Sequence, residues 1–337
     1  MDAARRPATH RDRVAVDGPG PGRAQEGDHV GHLAGAPEDS LQQHLRDLFR
    51  MTQKRMLAPL PYWHWIRFAE DRRFELDMRQ VHAAIDGFIA QARAGLERQP
   101  ELRRQPANLL QALVVARDQS GSGFSDEDLR GNVLTMLLAG EDTTAQTLAW
   151  VLYLLHRQPQ AADRARAEVD EALDGADIAT ELAQLEQLDF VEACIAEAMR
   201  LYPVGPVIAL ETRRDTVVAG VALPRGTGVM LETRAAGPDA AHFEQPEAFL
   251  PEHWLPGQWS RQLASTRRAV MPFGAGTRIC PGRYLSLVEM KMLLAMLLRH
   301  FELEEVCGPG GAPVRELYAF SMRPAGLKAA LRLRRDH

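Results

Sequence analysis

The stretch Phe273-Gly274-Ala275-Gly276-Thr277-Arg278-Ile279-Cys280-Pro281-Gly282 decides how this sequence of 337 residues is interpreted. Two glycines loosen the backbone ahead of the arginine, and Cys280 stands before a proline and an apolar run with a helical pattern. A cysteine at or beside a helix N-terminus is favoured as the thiolate, because free N–H groups and the helix dipole stabilise negative charge there. Pro281 suits the first helical turn. The pattern therefore predicts a sheltered thiolate, which is the ligand that a soft iron centre needs.

This stretch resembles the haem-binding motif of the cytochrome P450 family, Phe-x-x-Gly-x-Arg-x-Cys-x-Gly. The five matching positions are Phe273, Gly276, Arg278, Cys280 and Gly282. The resemblance implies that Cys280 is the axial ligand of haem b (iron protoporphyrin IX), that Arg278 holds a haem propionate and that Phe273 shields the sulfur. The alternative is a buried cysteine in a glycine turn before an ordinary amphipathic helix. Two further motifs upstream, in the order of the family, favour the haem site.

Composition indicates a soluble globular protein. Hydrophobic residues make up 45% and charged residues 25% of the chain, which are ordinary values, and the length allows a substantial core. The formal net charge of -5 argues against a general nucleic-acid binder. Three cysteines form an odd and sparse set, which predicts no disulfide framework and a reducing, cytoplasmic compartment; they are Cys194, Cys280 and Cys307.

The first forty residues differ from the remainder in composition. They are rich in Gly, Pro, Arg and Asp and poor in large apolar side chains, so residues 1–39 are predicted to be disordered. Neither a signal peptide nor a membrane anchor fits this segment. Residues 40–337 are predicted to form one cytochrome P450 domain, and the resemblance is to the soluble, bacterial type of member.

Helical periodicity and capping residues predict a mainly helical chain. The predicted helices run from Ser40 to about Met56, Asp71 to Leu96, Ala107 to Ala116, Ser125 to about His156, Gln160 to Leu173, Asp189 to Leu201 and Tyr284 to Leu298. Short strands are predicted at Val207 to Leu210, Thr216 to Val218, Gly228 to Glu232 and Leu327 to Leu333. The fold class is mainly α with a small β region (α+β), which the resemblance implies is the cytochrome P450 fold.

A second motif, Ala139-Gly140-Glu141-Asp142-Thr143-Thr144, lies in the middle of the longest predicted helix. Glycine inside a helix lowers helix stability by about 1 kcal/mol relative to alanine. We therefore expect Gly140 to have a role, such as leaving room for a ligand. The motif resembles the oxygen-activating segment of the cytochrome P450 family. By that resemblance Thr143 hydrogen-bonds dioxygen at the haem and Asp142 feeds protons towards it. The alternative is an amphipathic helix with a solvated acidic patch.

A third motif is the pair Glu197 and Arg200, which share one helix face. Such pairs are most often surface features, but apolar residues flank this one and Leu-Tyr-Pro follows, as in the Glu-x-x-Arg helix of the family, where the pair is structural. His253 stands where the family usually has the arginine that completes a triad. Histidine can make one hydrogen bond to Glu197 but cannot form a bidentate fork.

Three further positions bear on the haem propionates. Leu210 falls where many members have a propionate-binding arginine, and Arg213 or Arg214 is a candidate substitute. Trp63 and Arg67 match the Trp-x-x-x-Arg pattern of an early propionate-binding helix, but they lie too near the second motif for that role. We expect this aromatic segment to belong to the roof of the substrate pocket.

The resemblance covers about Ser40 to the end, which corresponds to the C-terminal two-thirds of a typical member. The N-terminal helices and strands of the family are therefore expected to be missing. The true Trp-x-x-x-Arg helix of the family is expected to be missing with them.

The implied function is haem-thiolate monooxygenation of an apolar small molecule. Electrons are expected from a separate partner, a ferredoxin or a flavoprotein reductase, and basic residues near the cysteine are candidates for docking it; they are Arg261, Arg267, Arg268 and Arg283. The alternatives are a non-catalytic haem-binding remnant and a haem-thiolate isomerase or peroxygenase that needs no reductase. The pair Asp142 and Thr143 favours oxygen activation over both.

Overall fold

The computed structural model describes residues 13–17, 38–56, 58–256, 269–318 and 321–334 of the chain. The α-helices are α1 (Glu38–Met56), α2 (Ala69–Arg98), α3 (Leu109–Asp118), α4 (Asp126–Arg157), α5 (Pro159–Leu173), α6 (Leu182–Glu186), α7 (Asp189–Leu201) and α8 (Arg283–His300). The strands are β1 (Arg13–Asp17), β2 (Val207–Glu211), β3 (Thr216–Val218), β4 (Val221–Leu223), β5 (Gly228–Glu232), β6 (Phe301–Cys307), β7 (Arg315–Tyr318), β8 (Met322–Ala325) and β9 (Lys328–Leu333). The predicted class, mainly helical with a small β region, is confirmed.

Every predicted helix is present, with each end within two residues of its predicted position. Helix α6 was not predicted, because five residues are too few to show a helical period. Strands β4, β6, β7 and β8 were also not predicted, since short strands carry little pattern of their own. No helix in the described ranges combines the length and the apolarity needed to cross a membrane.

The chain divides into two compact units. One comprises residues 31–142, and the other comprises residues 1–30 together with 143–337. The division falls between Asp142 and Thr143, inside the continuous helix α4. The sequence predicted a single domain over residues 40–337 and gave no sign of this division.

The unit of residues 31–142 has its own apolar core, formed by α1, α2, α3 and the first part of α4. Leu48, Val81, Ile85, Val114 and Leu129 are fully or almost fully buried there. The buried positions of α2 recur every three or four residues, as the predicted amphipathic stripe requires.

The unit containing residues 143–337 has a larger core on the second part of α4, α5, α7 and α8. Trp150, Val169, Ile195 and Leu294 are buried at its centre. Helix α7 is buried along most of its length, which explains why a carboxylate and a guanidinium on it must satisfy each other.

Among the described residues, the β region consists of one three-stranded sheet, with strand order β1-β9-β6, and three two-stranded sheets, β2-β5, β3-β4 and β7-β8. All of the pairings are antiparallel. Strand β1 departs from the predicted disorder of residues 1–39. Arg13–Asp17 alternate Val14 and Val16 with other residues, a strand pattern, and pair with β9. Residues 1–12 and 18–37 lie outside the described ranges.

Candidate functional site

The cysteine loop, residues 273–282, is a tight turn that leads into α8. Gly274 and Gly276 have φ values of +72° and +69°, a left-handed conformation that favours glycine. The N–H of Cys280 donates to the carbonyl oxygen of Phe273 at 2.9 Å and closes the loop. The spacing of the predicted motif thus corresponds to one hydrogen-bonded turn.

Cys280 lies beside the N-terminus of α8, where it was predicted, but Pro281 lies outside the first helical turn. Gly282 is the N-cap and α8 begins at Arg283, so Cys280 lies two residues before the cap. Pro281 lies in the turn and not in the first helical turn, because the tight loop ends only at Gly282. The sulfur was predicted to be sheltered, whereas Cys280 is exposed in the protein chain itself.

The other two cysteines are poorer candidates for a thiolate ligand. Cys194 is buried in α7, and burial raises the pKa of its thiol well above the ordinary value. Cys307 is half-buried, and its hydrogen bond to Glu305 raises the pKa of its thiol. Cys280 is the one exposed cysteine among these three.

The groups around Cys280 fit a flat, apolar cofactor that carries carboxylates. Arg278 is exposed and has no hydrogen bond or ion pair within the described ranges, so its guanidinium is available for a propionate. A Cβ at Gly282 would lie 3.8 Å from the sulfur, so glycine leaves space beside it. Ile279 and Leu285, on either side of the cysteine in sequence, are large exposed apolar residues. A soft sulfur donor with apolar neighbours and an exposed arginine nearby suits haem iron and its propionates.

Phe273 is half-buried and packs against the core of its unit. The guanidinium of Arg283 lies over the rings of Phe273 and Tyr284, at 5.9 Å and 5.7 Å from their centroids. Arg283 is exposed and was predicted to take part in docking a redox partner. The other three arginines of that prediction, Arg261, Arg267 and Arg268, lie outside the described residues.

The second motif lies in the middle of α4, as predicted. Asp142 and Thr143 are half-buried and Thr144 is buried. A Cβ at Gly140 would meet no atom within 4 Å, so this glycine borders open space. The hydroxyl of Thr147 donates to the carbonyl oxygen of Thr143 at 2.9 Å. Thr147 was not singled out, although its spacing of four residues from Thr143 is the signal for such a bond.

Glu197 and Arg200 form a buried bidentate pair on α7. The Nε and Nη2 atoms of Arg200 donate to the two carboxylate oxygens of Glu197 at 2.8 Å and 2.6 Å. Arg200 also donates to the carbonyl oxygens of Gly237, Pro246 and Ala248, at 2.6, 2.5 and 2.9 Å. The pair therefore fixes the loop that follows β5 to α7.

His253 completes this network as predicted, and Trp254 contributes a bond that was not predicted. Nδ1 of His253 lies 3.1 Å from Oε1 of Glu197, and its Nε2 lies 3.0 Å from the carbonyl oxygen of Glu244. Nε1 of Trp254 donates to Oε2 of Glu197 at 2.8 Å. His253 and Trp254 together hydrogen-bond both carboxylate oxygens of Glu197, as a single arginine side chain would in a bidentate pair.

The electrostatics of Glu197 follow from this environment. Burial by itself raises the pKa of a carboxyl group, but the hydrogen bonds from Arg200 and His253 outweigh it and hold the pKa of Glu197 below its ordinary value. The carboxylate is thus stably ionised in the core.

The structure also locates the other candidate positions. Leu210 is exposed on β2, and Arg213 and Arg214 are exposed just after that strand. Trp63 lies beneath the guanidinium of Arg55, at 5.1 Å from its ring centroid, and Arg67 pairs with Glu75 at 2.9 Å. Trp63 and Arg67 are therefore engaged within the unit of residues 31–142, and they do not share a helix.

Comparison with known proteins gives concordant results. The family model for cytochrome P450 matches residues 27–329. The chain is 32% identical over 259 residues to the cyclooctat-9-en-7-ol 5-monooxygenase of Streptomyces melanosporofaciens, covering 76% of this chain and 53% of that protein. It is 30% identical over 266 residues to cytochrome P450 4F12 of Homo sapiens, covering 76% of this chain and 50% of that protein.

Among solved structures, the chain is similar to the crystal structure of the cytochrome P450DA heme domain. The TM-score is 0.71 at 27% sequence identity, and the match covers 88% of this chain and 61% of that chain. The chain spans about half the length of the curated relatives described above.

Proposed function

Because this chain belongs to the cytochrome P450 family, we propose that it supplies the haem-thiolate centre of a monooxygenase that inserts one atom of dioxygen into an apolar organic substrate. The cofactor of this family is haem with a cysteine thiolate as axial ligand. The observation that carries the proposal is the loop closed between Phe273 and Cys280, which presents an exposed sulfur close to Arg278. Arg278 has no hydrogen bond or ion pair to any residue that the structure describes. When bound, the haem supplies the iron that reduces and cleaves dioxygen.

The cysteine loop would hold the cofactor. Cys280 would bind the iron through its sulfur, a soft donor. Arg278 pairs with one propionate, because its guanidinium matches the geometry of a carboxylate. Gly276 and Gly282 allow the backbone to approach closely, and Phe273 covers the loop from the side of the core.

Helix α4 would carry the residues that deliver protons to dioxygen. Thr143 donates a hydrogen bond from its hydroxyl to dioxygen, and Asp142 passes protons from solvent towards that hydroxyl. Both side chains are half-buried and sit beside an open position at Gly140, which supports access for a ligand and for water. Glu197, Arg200 and His253 are proposed to act structurally, since they satisfy one another in the core.

The reaction needs two electrons and two protons for each dioxygen, with one oxygen atom leaving as water. A ferredoxin or a flavoprotein reductase is proposed as the electron donor, acting in the cytoplasm, and Arg283 would contribute to its docking. The sparse, odd set of cysteines supports that compartment.

The carbonyl complex of the reduced protein tests the ligand. Thiolate is a strong donor, so the haem-loaded chain should absorb at about 450 nm in this state. Cys280→Ala should lose that band, while Cys307→Ala, which removes a thiol from β6, should keep it. A chain that takes up no haem, or a Cys280→Ala variant with an unaltered spectrum, contradicts the proposal.

A second candidate is a haem-binding protein without monooxygenase activity, or an isomerase or peroxygenase. Turnover of an apolar test substrate separates the possibilities. Product formed only with an electron donor and dioxygen supports the monooxygenase, product formed with peroxide alone supports the peroxygenase, and haem binding without product supports the non-catalytic protein.

A further inference from the structure

Helix α4 carries a further threonine, Thr147, whose side chain bonds to the backbone of Thr143. The hydroxyl of Thr147 donates to the carbonyl oxygen of Thr143 at 2.9 Å. Both residues lie inside the continuous helix α4, where the N–H of Thr147 donates to the same carbonyl oxygen by α-helix geometry. A carbonyl oxygen has two lone pairs. Both lone pairs of this oxygen are therefore used by one residue.

The burial of Thr147 makes this bond more than a surface detail. Thr147 is 3% exposed. Valine would fill such a position without a polar atom, whereas a buried hydroxyl is costly unless it has a partner. The partner here is the backbone of Thr143. The position of the Thr143 backbone is thus coupled to the side chain of Thr147.

The core around Thr147 is closely packed. Trp150 and Val151, the next residues of α4 towards its C-terminus that are fully buried, have no exposed surface. The ring of Trp150 stacks on the ring of Tyr202, with 4.0 Å between the centroids and 4° between the planes. Close packing restricts side chains to few rotamers. The hydroxyl of Thr147 therefore ties the backbone of Thr143 to a well-fixed part of the molecule.

Helix α4 also contains an equivalent bond at a different position. The hydroxyl of Thr135 donates to the carbonyl oxygen of Gly131 at 2.8 Å. A threonine in a helix commonly bonds to the carbonyl four residues earlier, so the bond itself is not unusual. Thr135 is exposed, and water can replace its hydrogen bond. Two properties distinguish Thr147: it is buried, and its acceptor belongs to the residue proposed to direct protons.

We infer that Thr147 is a positioning residue, which holds the backbone of Thr143, and with it the hydroxyl of Thr143, in place for the hydrogen bond to dioxygen. The inference rests on the proposed function. Bonds of this type bend a helix slightly, so their loss lets the helix relax at Thr143. Misplacement by about 1 Å can cost on the order of a hundredfold in rate, because a hydrogen bond weakens steeply when it is misaligned.

The first test measures the surroundings of the haem ligand without turnover. Thr147→Val removes the hydroxyl and keeps the branched shape of the side chain, whereas Thr147→Ser keeps the hydroxyl. The probe is carbon monoxide bound to the reduced, haem-loaded chain, because its infrared stretching band responds to nearby polar groups. Thr147→Val should shift this band towards its position in Thr143→Ala. Thr147→Ser should leave the band where the unaltered chain has it.

The second test measures product and hydrogen peroxide per electron consumed, with an apolar test substrate. Thr147→Val should form at least about twofold less product per electron, with the missing electrons recovered as peroxide. Its KM should stay unchanged, because the proposed effect falls on the proton step and not on substrate binding. Thr147→Ser should restore the product yield. A loss of packing alone would not be rescued by serine, which is smaller than valine.

Thr135→Val is the matched control, since it removes the same kind of bond from the same helix. It should behave like the unaltered chain in both tests. The inference is overturned if Thr147→Val leaves either readout unaltered, if Thr147→Ser fails to restore it, or if Thr135→Val has the same effect. A chain that binds no haem or forms no product overturns the proposed function and this inference with it. A chain in which Thr143→Ala lowers the product yield and Thr147→Val does not overturns this inference alone.

Discussion

At the scale of single residues, the carboxylate of Glu197 shows how a charge is kept in a protein core. Five donors reach it: two from Arg200 and one each from the backbone of Leu250, from His253 and from Trp254. A buried ion is tolerated only when such bonds replace its hydration. The network explains why histidine can stand in the place of an arginine, because tryptophan supplies the second bond.

Replacing Glu197 should lower the free energy of unfolding more than replacing an exposed carboxylate does. Glu197→Gln leaves Arg200 buried without its partner, so we expect a loss of about 3–5 kcal/mol in the free energy of unfolding. Urea unfolding followed by circular dichroism measures this. Glu252→Gln is the control, since its pair with Arg164 is exposed and should contribute at most about 1 kcal/mol. Equal losses in the two variants would contradict the structural role.

The same carboxylate makes stability depend on pH. Because the folded pKa of Glu197 is lowered, its contribution is present above its unfolded pKa of about 4.3 and is lost as pH falls through the folded pKa. The stability difference between the unaltered chain and Glu197→Gln should therefore shrink on acidification below about pH 4. If the stability difference between the two chains grows as the pH falls, the charge of Glu197 is not the cause of its stabilising effect.

Thr143 is the residue proposed to direct protons to dioxygen. Thr143→Ala should bind substrate and accept electrons but divert them to hydrogen peroxide, because the hydroxyl that donates the hydrogen bond is gone. Thr143→Ser keeps a hydroxyl and should keep the yield. The measurement is product and peroxide formed per electron consumed. Equal product per electron in the alanine variant and the unaltered chain would exclude this role.

At the scale of secondary-structure elements, α4 shows that the residues at a helix end determine where the helix begins and stops. The hydroxyl of Ser125 accepts from the N–H of Asp128 at 3.0 Å, and the carboxylate of Asp128 accepts from the N–H of Ser125 at 2.9 Å. This is a capping box, which satisfies two backbone donors. At the other end the helix finishes at Arg157, one residue beyond the predicted end, and Pro159 is the first residue of α5, one residue before the predicted start.

The cap of α4 should be measurable as stability. Ser125→Ala removes the hydroxyl acceptor, and we expect a loss of about 1 kcal/mol. Ser125→Thr keeps an acceptor and should lose much less. Urea unfolding compares the three chains. If the alanine variant is as stable as the other two, the capping box does not contribute to the fold.

At the scale of the whole molecule, the protein has two units with separate cores and matches about half of its curated relatives. Haem carries two propionates, and burying their charge without partners is costly. Arg278 is proposed to pair with one of them, whereas Leu210 carries no charge. Exposed apolar residues beside Cys280 add surface that water reaches.

This chain should therefore lose haem faster than a version extended at its N-terminus with the segment that family members carry there. Transfer of haem to an apo-globin acceptor gives the rate. The extended chain is expected to retain haem longer, because the added segment covers apolar surface and supplies partners for the propionates. If both chains lose haem at the same slow rate, the additional segment is dispensable.

The sequence by itself determined the helices and the turn that holds Cys280. Their causes are local: a period of apolar residues, a cap such as Ser125, a breaking proline such as Pro159, and glycines at positive φ. It also predicted the pairing of Glu197 with Arg200, because residues three apart on a helix lie together.

The tertiary structure alone decided the features that join distant parts of the chain. Trp254 bonds to Glu197 from 57 residues away, and no spacing rule connects two such positions. The short strands β6, β7 and β8 are stabilised by partners that lie elsewhere in the chain. The exposure of Cys280 and the division of α4 at Asp142 likewise depend on which surfaces the rest of the protein covers, and burial is a property of the packed molecule.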